Sequence, residues 1–235
     1  MLVLCDKDLV ATGTAFVVSK RSVLTAYHNV GSTKKHYAAS WFLVNGLERS
    51  NTGDVTTTDG VTVPVKIVAY CRKSDWVLLS RTDLLEFDAG DVVPICASEN
   101  VPSRVDEPTI KIYHCPVGLF NSEEIDAVMS VTVATKISML TGHSLFFQIG
   151  LFAGSSGALV TLTDGSAIGM HIEGINSAIS LASVHAAHEA AGDDSASSED
   201  CLAEVSDSCV QCYGAFSRAI LLPRFSNLIS EVAKH

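Results

Sequence analysis

"GTAFVVSKRSVLTAYHNV" runs from Gly13 to Val30. It holds two runs rich in Val, Thr and aromatics, joined by the basic turn residues Lys20 and Arg21. Short runs of this kind, bounded by turn residues, read as β-strands. Others follow: "SWFLV" from Ser40, "VTVPVKIVAY" from Val61, "DWVLLS" from Asp75 and "IKIYHC" from Ile110. The pairs Asn45-Gly46, Asp59-Gly60 and Asp164-Gly165 are turn signals that separate several strands. Many short strands at close spacing predict an all-β chain, built as a sandwich or as barrels. No helical pattern stands out before about residue 176. The polar stretch Ala97 to Thr109 reads as a crossover between two β units.

Beyond residue 176 the composition shifts. "SAISLASVHAAHEAA" is Ala-rich and helix-favouring, and "GDDSASSEDCLAEVSD" is acidic and small. Together they predict an acidic insertion over about 177–212. "YGAFSRAILLPRFSNLISEVAKH" then predicts a last strand and an amphipathic helix from about Pro223. Proline suits a first helical turn, and Lys234 suits the last.

The 235 residues are 47% hydrophobic and 18% charged, so the chain can bury a core. Its net charge is −10, which argues against nucleic acid as a ligand, because phosphate binding needs a basic surface. No apolar run reaches the roughly 20 residues of a membrane span. "MLVLCDKDLV" lacks the basic-then-apolar order of a secretory signal, so a cytoplasmic location is the expectation. The seven cysteines are odd in number and irregularly spaced, which favours free thiols over a disulfide framework.

"GSSGALV", Gly154 to Val160, raises a chemical question. A serine between glycines is an idle turn residue, or it is a nucleophile held on a tight turn. Acyl transfer by serine needs an imidazole base, a carboxylate that fixes its tautomer, and backbone N–H groups aimed at the oxyanion. His28 ends the opening stretch, and Asp75 stands at the mouth of a hydrophobic strand. The order is His28, Asp75, Ser156.

These segments resemble the chymotrypsin-like (trypsin-fold) serine proteases over nearly the whole chain. "GTAFVVS…VLTAYHNV" is similar to the family's G-x-F-[VI]…[VI]-L-T-A-A-H segment, and "SDWVLLS" to its D-[IL]-A-L-L segment. "GSSGALV" is similar to G-[DN]-S-G-G-P-L, and "GAFSRAILLPRFSNLI" to the closing strand and helix. The resemblance implies two antiparallel six-stranded β-barrels with a C-terminal helix, over about residues 1–100 and 110–235. It implies a serine endopeptidase, without a cofactor, acting on a protein or polyprotein substrate. His28 would be general base and then acid, Asp75 its orienter, and Ser156 the nucleophile. The N–H groups of Gly154 and Ser156 would form the oxyanion hole. A catalytically silent domain of this fold that binds a protein partner stays open as the alternative.

The chain departs from the family at several points. Ser155 stands before the nucleophile where secreted zymogens carry Asp, and their Ile-Val-Gly-Gly start is missing. The expectation is an oxyanion loop held by packing alone, active without amino-terminal cleavage. Ala158 replaces the second glycine, and no proline follows.

The next hairpin is "GALVTLTDGSAIGMHIEG". If Asp164 and Gly165 are a two-residue loop, Thr163 faces Ser166 and His171 lies opposite Ala158. Neighbouring strands are about 4.8 Å apart, which puts His171 beside the reacting centre. "GMHIEG" resembles the G-[MI]-H-V-x-G segment of the chymotrypsin-like main proteases of positive-strand RNA viruses, where a His reads a P1 glutamine. Glutamyl endopeptidases are similar in placing a His in this pocket. The resemblance implies substrate contacts from His171, Ile172, Glu173 and Gly174, with a neutral His171 donating to a Gln oxygen. Those viral enzymes often place Thr five residues before the nucleophile; here that residue is Leu151. No Lys or Arg occurs from Ile137 to Ser217, while nine acids do, which favours Gln over Glu at P1. A core histidine bonded to backbone is the bland alternative for His171. His185, His188, Cys209 and Cys212 have the spacing of two zinc half-sites, against which stands the acidic segment between them.

Overall fold

The computed structural model describes residues 1–31, 40–97, 100–102, 109–175 and 216–227. The first barrel is made from β1 (Leu2–Asp6), β2 (Ala11–Val17), β3 (Ser22–Ala26), β4 (Trp41–Val44), β7 (Val63–Cys71) and β8 (Trp76–Arg81). It closes in the order β1-β2-β3-β8-β7-β4, with every neighbouring pair antiparallel. The second is made from β9 (Thr109–His114), β11 (Val131–Leu140), β12 (Ser144–Phe147), β13 (Leu159–Thr161), β14 (Ala167–Ile175) and β15 (Phe216–Leu221). It closes as β11-β12-β15-β14-β13-β9. Closure gives every barrel strand a neighbour on both sides, although β13 covers only the first part of β14.

The choice between sandwich and barrel, open in the sequence, is settled by these closures. Burial is uneven along the barrels: β3 is buried at all five positions and β12 at all four, whereas β9 alternates. Leu4, Val23, Leu43, Val77 and Leu79 fill the first barrel. Ile110, Ile112, Leu145, Phe147, Val160 and Ile168 fill the second. A third cluster joins the barrels, with Phe16, Leu24, Trp76 and Leu78 packed on Leu159, Met170, Ile172 and Ile220.

The turn signals behave unequally. Asn45-Gly46 joins β4 to β5 (Gly46–Arg49), yet these strands do not pair with each other. Instead β5 leaves the barrel for a small sheet between β10 (Ala127–Met129) and β6 (Val55–Thr57). The pair therefore marks a corner where the chain changes sheets, rather than a hairpin. Asp164-Gly165 does close a hairpin, but its loop has three residues. Gly165 N–H donates to the Leu162 carbonyl, Gly165 takes φ +87°, and Leu162 N–H bonds to the Ser166 carbonyl. That is a type I turn followed by a left-handed glycine.

Two short helices interrupt a stretch in which the sequence shows no helical pattern: α1 (His28–Gly31) and α2 (Val117–Asn121). Each is about one turn, too short to write a 3.6-residue period. After β15 the chain enters a 3₁₀ turn, Leu222–Phe225, with Pro223 inside it. Ser226 and Asn227 continue it as helix; the expected C-terminal helix beyond 227 lies outside the described residues, as do the acidic insertion and the four candidate zinc ligands. Among the described residues no helix is long and apolar enough to cross a membrane, and no cluster of metal-ligating side chains occurs. Cys5, Cys71 and Cys115 are free thiols. Burial pushes Cys5 up to about 12 and Cys115 to about 11, so both stay protonated at neutral pH.

Candidate active site

β3 delivers His28 to the rim of the first barrel, where α1 begins. The β7–β8 turn brings Asp75 back to the same rim, because Ala26 pairs with Trp76 and Tyr27 N–H bonds to the Asp75 carbonyl at 3.0 Å. Asp75 has φ +50°, a left-handed conformation that Asp tolerates better than most residues. The strain aims its carboxylate at one neighbour. Oδ1 accepts the His28 backbone N–H at 3.0 Å, and Oδ2 accepts the His28 Nδ1–H at 2.6 Å. Both oxygens thus serve one residue, which fixes the ring plane and leaves Nε2 as the basic nitrogen. Arg72 braces the turn, lying over the Tyr27 ring and donating from Nε to its hydroxyl at 3.0 Å.

Ser156 comes from the second barrel, on the turn that enters β13. The first barrel grips this turn through β2 and α1. Thr14 N–H and Asn29 Nδ2 both donate to the Ser156 carbonyl, at 2.9 Å each. Thr14 Oγ1 donates to the Gly154 carbonyl at 3.3 Å, and Thr25 Oγ1 bonds to the Thr14 carbonyl at 2.6 Å. The Ser156 hydroxyl donates to the Ile172 carbonyl at 3.3 Å. A rotation about χ1 re-aims such a hydroxyl at low cost.

The two N–H groups expected at the oxyanion are set by the carbonyls of their own peptides. A trans peptide points its C=O and N–H in opposite directions. Gly118 N–H holds the Ala153 carbonyl at 2.7 Å, which turns the Gly154 N–H the other way. Ala158 N–H holds the Ser155 carbonyl at 2.9 Å, and His171 Nδ1 approaches it at 3.3 Å, which turns the Ser156 N–H likewise. Ser155 N–H bonds to the Phe152 carbonyl at 3.0 Å with Gly154 at φ +81°, the geometry of a type II turn.

His171 lies where the hairpin arithmetic puts it. Leu159 faces Met170, His171 N–H bonds to the Ala158 carbonyl and Gly157 N–H to the His171 carbonyl, both at 2.8 Å. The expected route was wrong in one detail. The three-residue loop displaces the register by one, and a β-bulge between Val160 and Thr161 restores it. A second bulge, between His171 and Glu173 on the side facing β15, leaves Ile172 unpaired there. Glu173 is tied to Arg218 by an ion pair of 2.7 Å, Ile172 is buried, and Gly174 is exposed.

His171 is 3% exposed, and among the described residues its Nε2 has no hydrogen-bond partner. Burial pushes its pKa from 6.5 down to about 4, and burial also lowers that of His114. A group held neutral in the fold stabilises fully above its unfolded value. Stability is therefore lost as pH falls from about 6.5 towards 4, at roughly 1.4 kcal/mol per unit, or on the order of 3 kcal/mol from His171 alone. Urea midpoints at pH 7 and pH 4.5 check this: His171→Leu should shrink the difference between them. An equal difference in both proteins would remove His171 from the acid response.

Four residues of the site escape the sequence reading: Thr14, Asn29, His114 and Gly118. Thr14 and Asn29 sit inside the opening stretch, but a strand threonine and a post-histidine asparagine carry no pattern of their own. His114 ends β9, in register with the buried Ile110 and Ile112 on one face of an alternating strand, and a polar residue in that register is the one signal that was available.

The family model for the trypsin-like peptidase domain matches residues 13–170, two thirds of the chain. Among solved structures, Deg5 matches with a TM-score of 0.53 at 16% identity, over 73% of this chain and 78% of that one. A Glu endopeptidase in complex with MPD matches with a TM-score of 0.63 at 11% identity, over 100% of this chain and 90% of the other. At such identities the two structures establish the fold, which is that of the two closed barrels described above. No curated protein matches significantly. The family match spans β2 to β14 and includes both barrels' contributions to the cleft, so the chain belongs to the trypsin-like peptidases and is a chymotrypsin-like serine protease.

Proposed function

We propose that the chain is an endopeptidase in which Ser156 attacks the scissile carbonyl, His28 accepts its proton, and Asp75 holds the imidazole. The observation that carries this reading is the doubly bonded His28–Asp75 pair, at 3.0 and 2.6 Å, on the rim to which Thr14 and Asn29 tie the Ser156 turn. The serine proton passes to His28 Nε2 as the carbon–oxygen bond forms. Gly154 and Ser156 N–H groups then receive the oxyanion, and the imidazolium returns the proton to the leaving amine. Ile172, Glu173 and Gly174 present strand backbone along which a substrate lies as an added strand.

His171 supports a P1 preference for Gln, then Glu. Its Nδ1 faces the Ser155 carbonyl, which only accepts, so the neutral ring carries its proton on Nδ1. Nε2 is then a buried acceptor. A glutamine carboxamide supplies an N–H to it, and an ionised glutamate does not. In this reading Nε2 accepts the carboxamide N–H, where the sequence expectation has the neutral ring donate to the Gln oxygen. The pH range moves as well, since the ring titrates near 4 rather than 6.5. A peptide-library profile should show Gln leading at P1, with Lys and Arg poor. His171→Ala should cost Gln substrates about 10- to 100-fold in kcat/KM and small apolar P1 residues much less. The Glu-to-Gln rate ratio should rise only as pH approaches 4, where the doubly protonated ring donates from both nitrogens. A profile led by Lys, Arg or large aromatics, unchanged in His171→Ala, would show a core residue.

A further inference from the structure

An oxyanion hole built from Gly154 and Ser156 works only while the Ala153–Gly154 peptide keeps its present face. Type I and type II turns differ by a flip of this central peptide. Flipped, the Ala153 carbonyl oxygen would stand near the position of the Gly154 N–H, and the hole would repel the charge it is built to receive. The position that carries the zymogen aspartate in the resembled enzymes is here Ser155, an uncharged residue with no exposed surface.

Ser155 is nevertheless tethered. Its Oγ lies 2.8 Å from His114 Nδ1, and His114 is 2% exposed at the end of β9. Burying an imidazole is costly unless it is hydrogen-bonded, and Ser155 meets that need. Four residues further on, Gly118 N–H grips the Ala153 carbonyl at 2.7 Å. Between them, Cys115 N–H donates to Thr14 Oγ1 at 3.1 Å, the same hydroxyl that bonds to the Gly154 carbonyl. The segment His114–Gly118 therefore takes hold of the loop on both sides of Gly154: by a side chain at Ser155 and by backbone at Ala153.

We propose that His114 is a positioning residue of the protease: through Ser155 Oγ, and together with the Gly118 N–H, it locks the oxyanion loop in its competent turn. The proposal rests on the reading of Ser156 as nucleophile. The lock is built from β9 and from α2, which packs against the first barrel. Loss of the His114–Ser155 bond lets the loop divide between the two turn forms, and only the competent fraction catalyses. Because a substrate's ground state binds along β14, KM is largely spared.

The test uses Ser155→Ala, His114→Leu and His114→Asn, with the best peptide of the cleavage profile as substrate. The aldehyde of the same sequence and its amino-terminal cleavage product serve as ligands. The aldehyde adds the serine oxygen to its carbonyl carbon and places the resulting oxyanion in the hole, whereas the product peptide does not. Ser155→Ala and His114→Leu should each lower kcat about tenfold with KM within about twofold. Aldehyde affinity should fall by the same factor, and product affinity should hold. His114→Asn sets an amide Nδ2 where Nδ1 stood and should recover most of the loss. The proposal is overturned if folded Ser155→Ala keeps its kcat, if product and aldehyde affinities fall together, or if Asn does no better than Leu. Should His114→Leu fail to fold, Ser155→Ala, which deletes one oxygen, decides alone. Hydrolysis persisting in Ser156→Ala would overturn the nucleophile reading instead. A dead Ser156→Ala beside an unimpaired Ser155→Ala would overturn the positioning role only.

Discussion

Ser156→Ala protein should fold, melt within a few degrees of the parent, and hydrolyse peptides at no rate above background. The hydroxyl contributes one 3.3 Å hydrogen bond to the Ile172 carbonyl, so its removal costs the fold about 1 kcal/mol at most. As the proposed nucleophile it contributes the whole covalent pathway, and loss of a triad member costs on the order of 10⁴- to 10⁶-fold in kcat. Asp75→Asn should fall about 10⁴-fold for a different reason. An amide at that position can present its N–H₂ to Nδ1, which stabilises the tautomer with the proton on Nε2 and removes the base. The two losses should not multiply in the double variant, because one pathway is broken in each. Intact parent protein should take up a fluorophosphonate on Ser156, and both variants should label poorly. A parent protein that folds but neither labels nor cleaves would point to the silent, partner-binding domain.

Gly157→Ala should be the most damaging single methyl group in the chain. Gly157 has φ +88°, where an L-residue pays roughly 1–2 kcal/mol. Its added Cβ would fall on the Thr14 carbonyl oxygen, well inside van der Waals contact, with Thr25 Oγ1 at 2.5 Å. Neither neighbour can yield cheaply, since the Thr14 carbonyl is held by Thr25 Oγ1 and the Thr14 N–H by Ser156. Overpacking of this kind adds about 1–3 kcal/mol. The sum takes a large share of the 5–15 kcal/mol typical of a whole domain. Thermal melting should show a drop of roughly 5–15 °C, and any folded remainder should have lost most activity. A Gly157→Ala protein with the parent's Tm and kcat would mean that the Thr14 contact is not the close approach described.

The strands were legible because β-branched and aromatic runs at close spacing leave few alternatives; their closure into barrels was implied only by the family resemblance, because the strand pattern fits a sandwich as well. The order of the segments singles out His28, Asp75 and Ser156 as candidates, and the strand position of His171 was legible through hairpin arithmetic. What the sequence hid was compensation. A three-residue loop and a bulge cancel in β13–β14, and no local pattern announces either. Asn45-Gly46 has the residues of a hairpin turn, but only the pairing of β5 with β10 and β6 shows that the chain changes sheets there. The tautomer of His171 depends on the Ser155 carbonyl, and its depressed pKa depends on burial; both are properties of packing. His114 and Ser155 lie 41 residues apart, and nothing in either segment names the other.

The Thr14 crossing also bears on how this protein can change over generations. The carbonyl and N–H of Thr14, its hydroxyl, Thr25, Asn29 and the backbone from Gly154 to Gly157 satisfy one another across both barrels. Gly13 is under the same restriction, since a Cβ there would strike the Asn29 amide. Positions more than a hundred residues apart thus form one unit of inheritance: a side chain at Gly13 is tolerable only with room made at Asn29, and none is available at Gly157. Exposed faces such as Leu84 and Leu85 can turn over freely, while these few sites must move together or not at all.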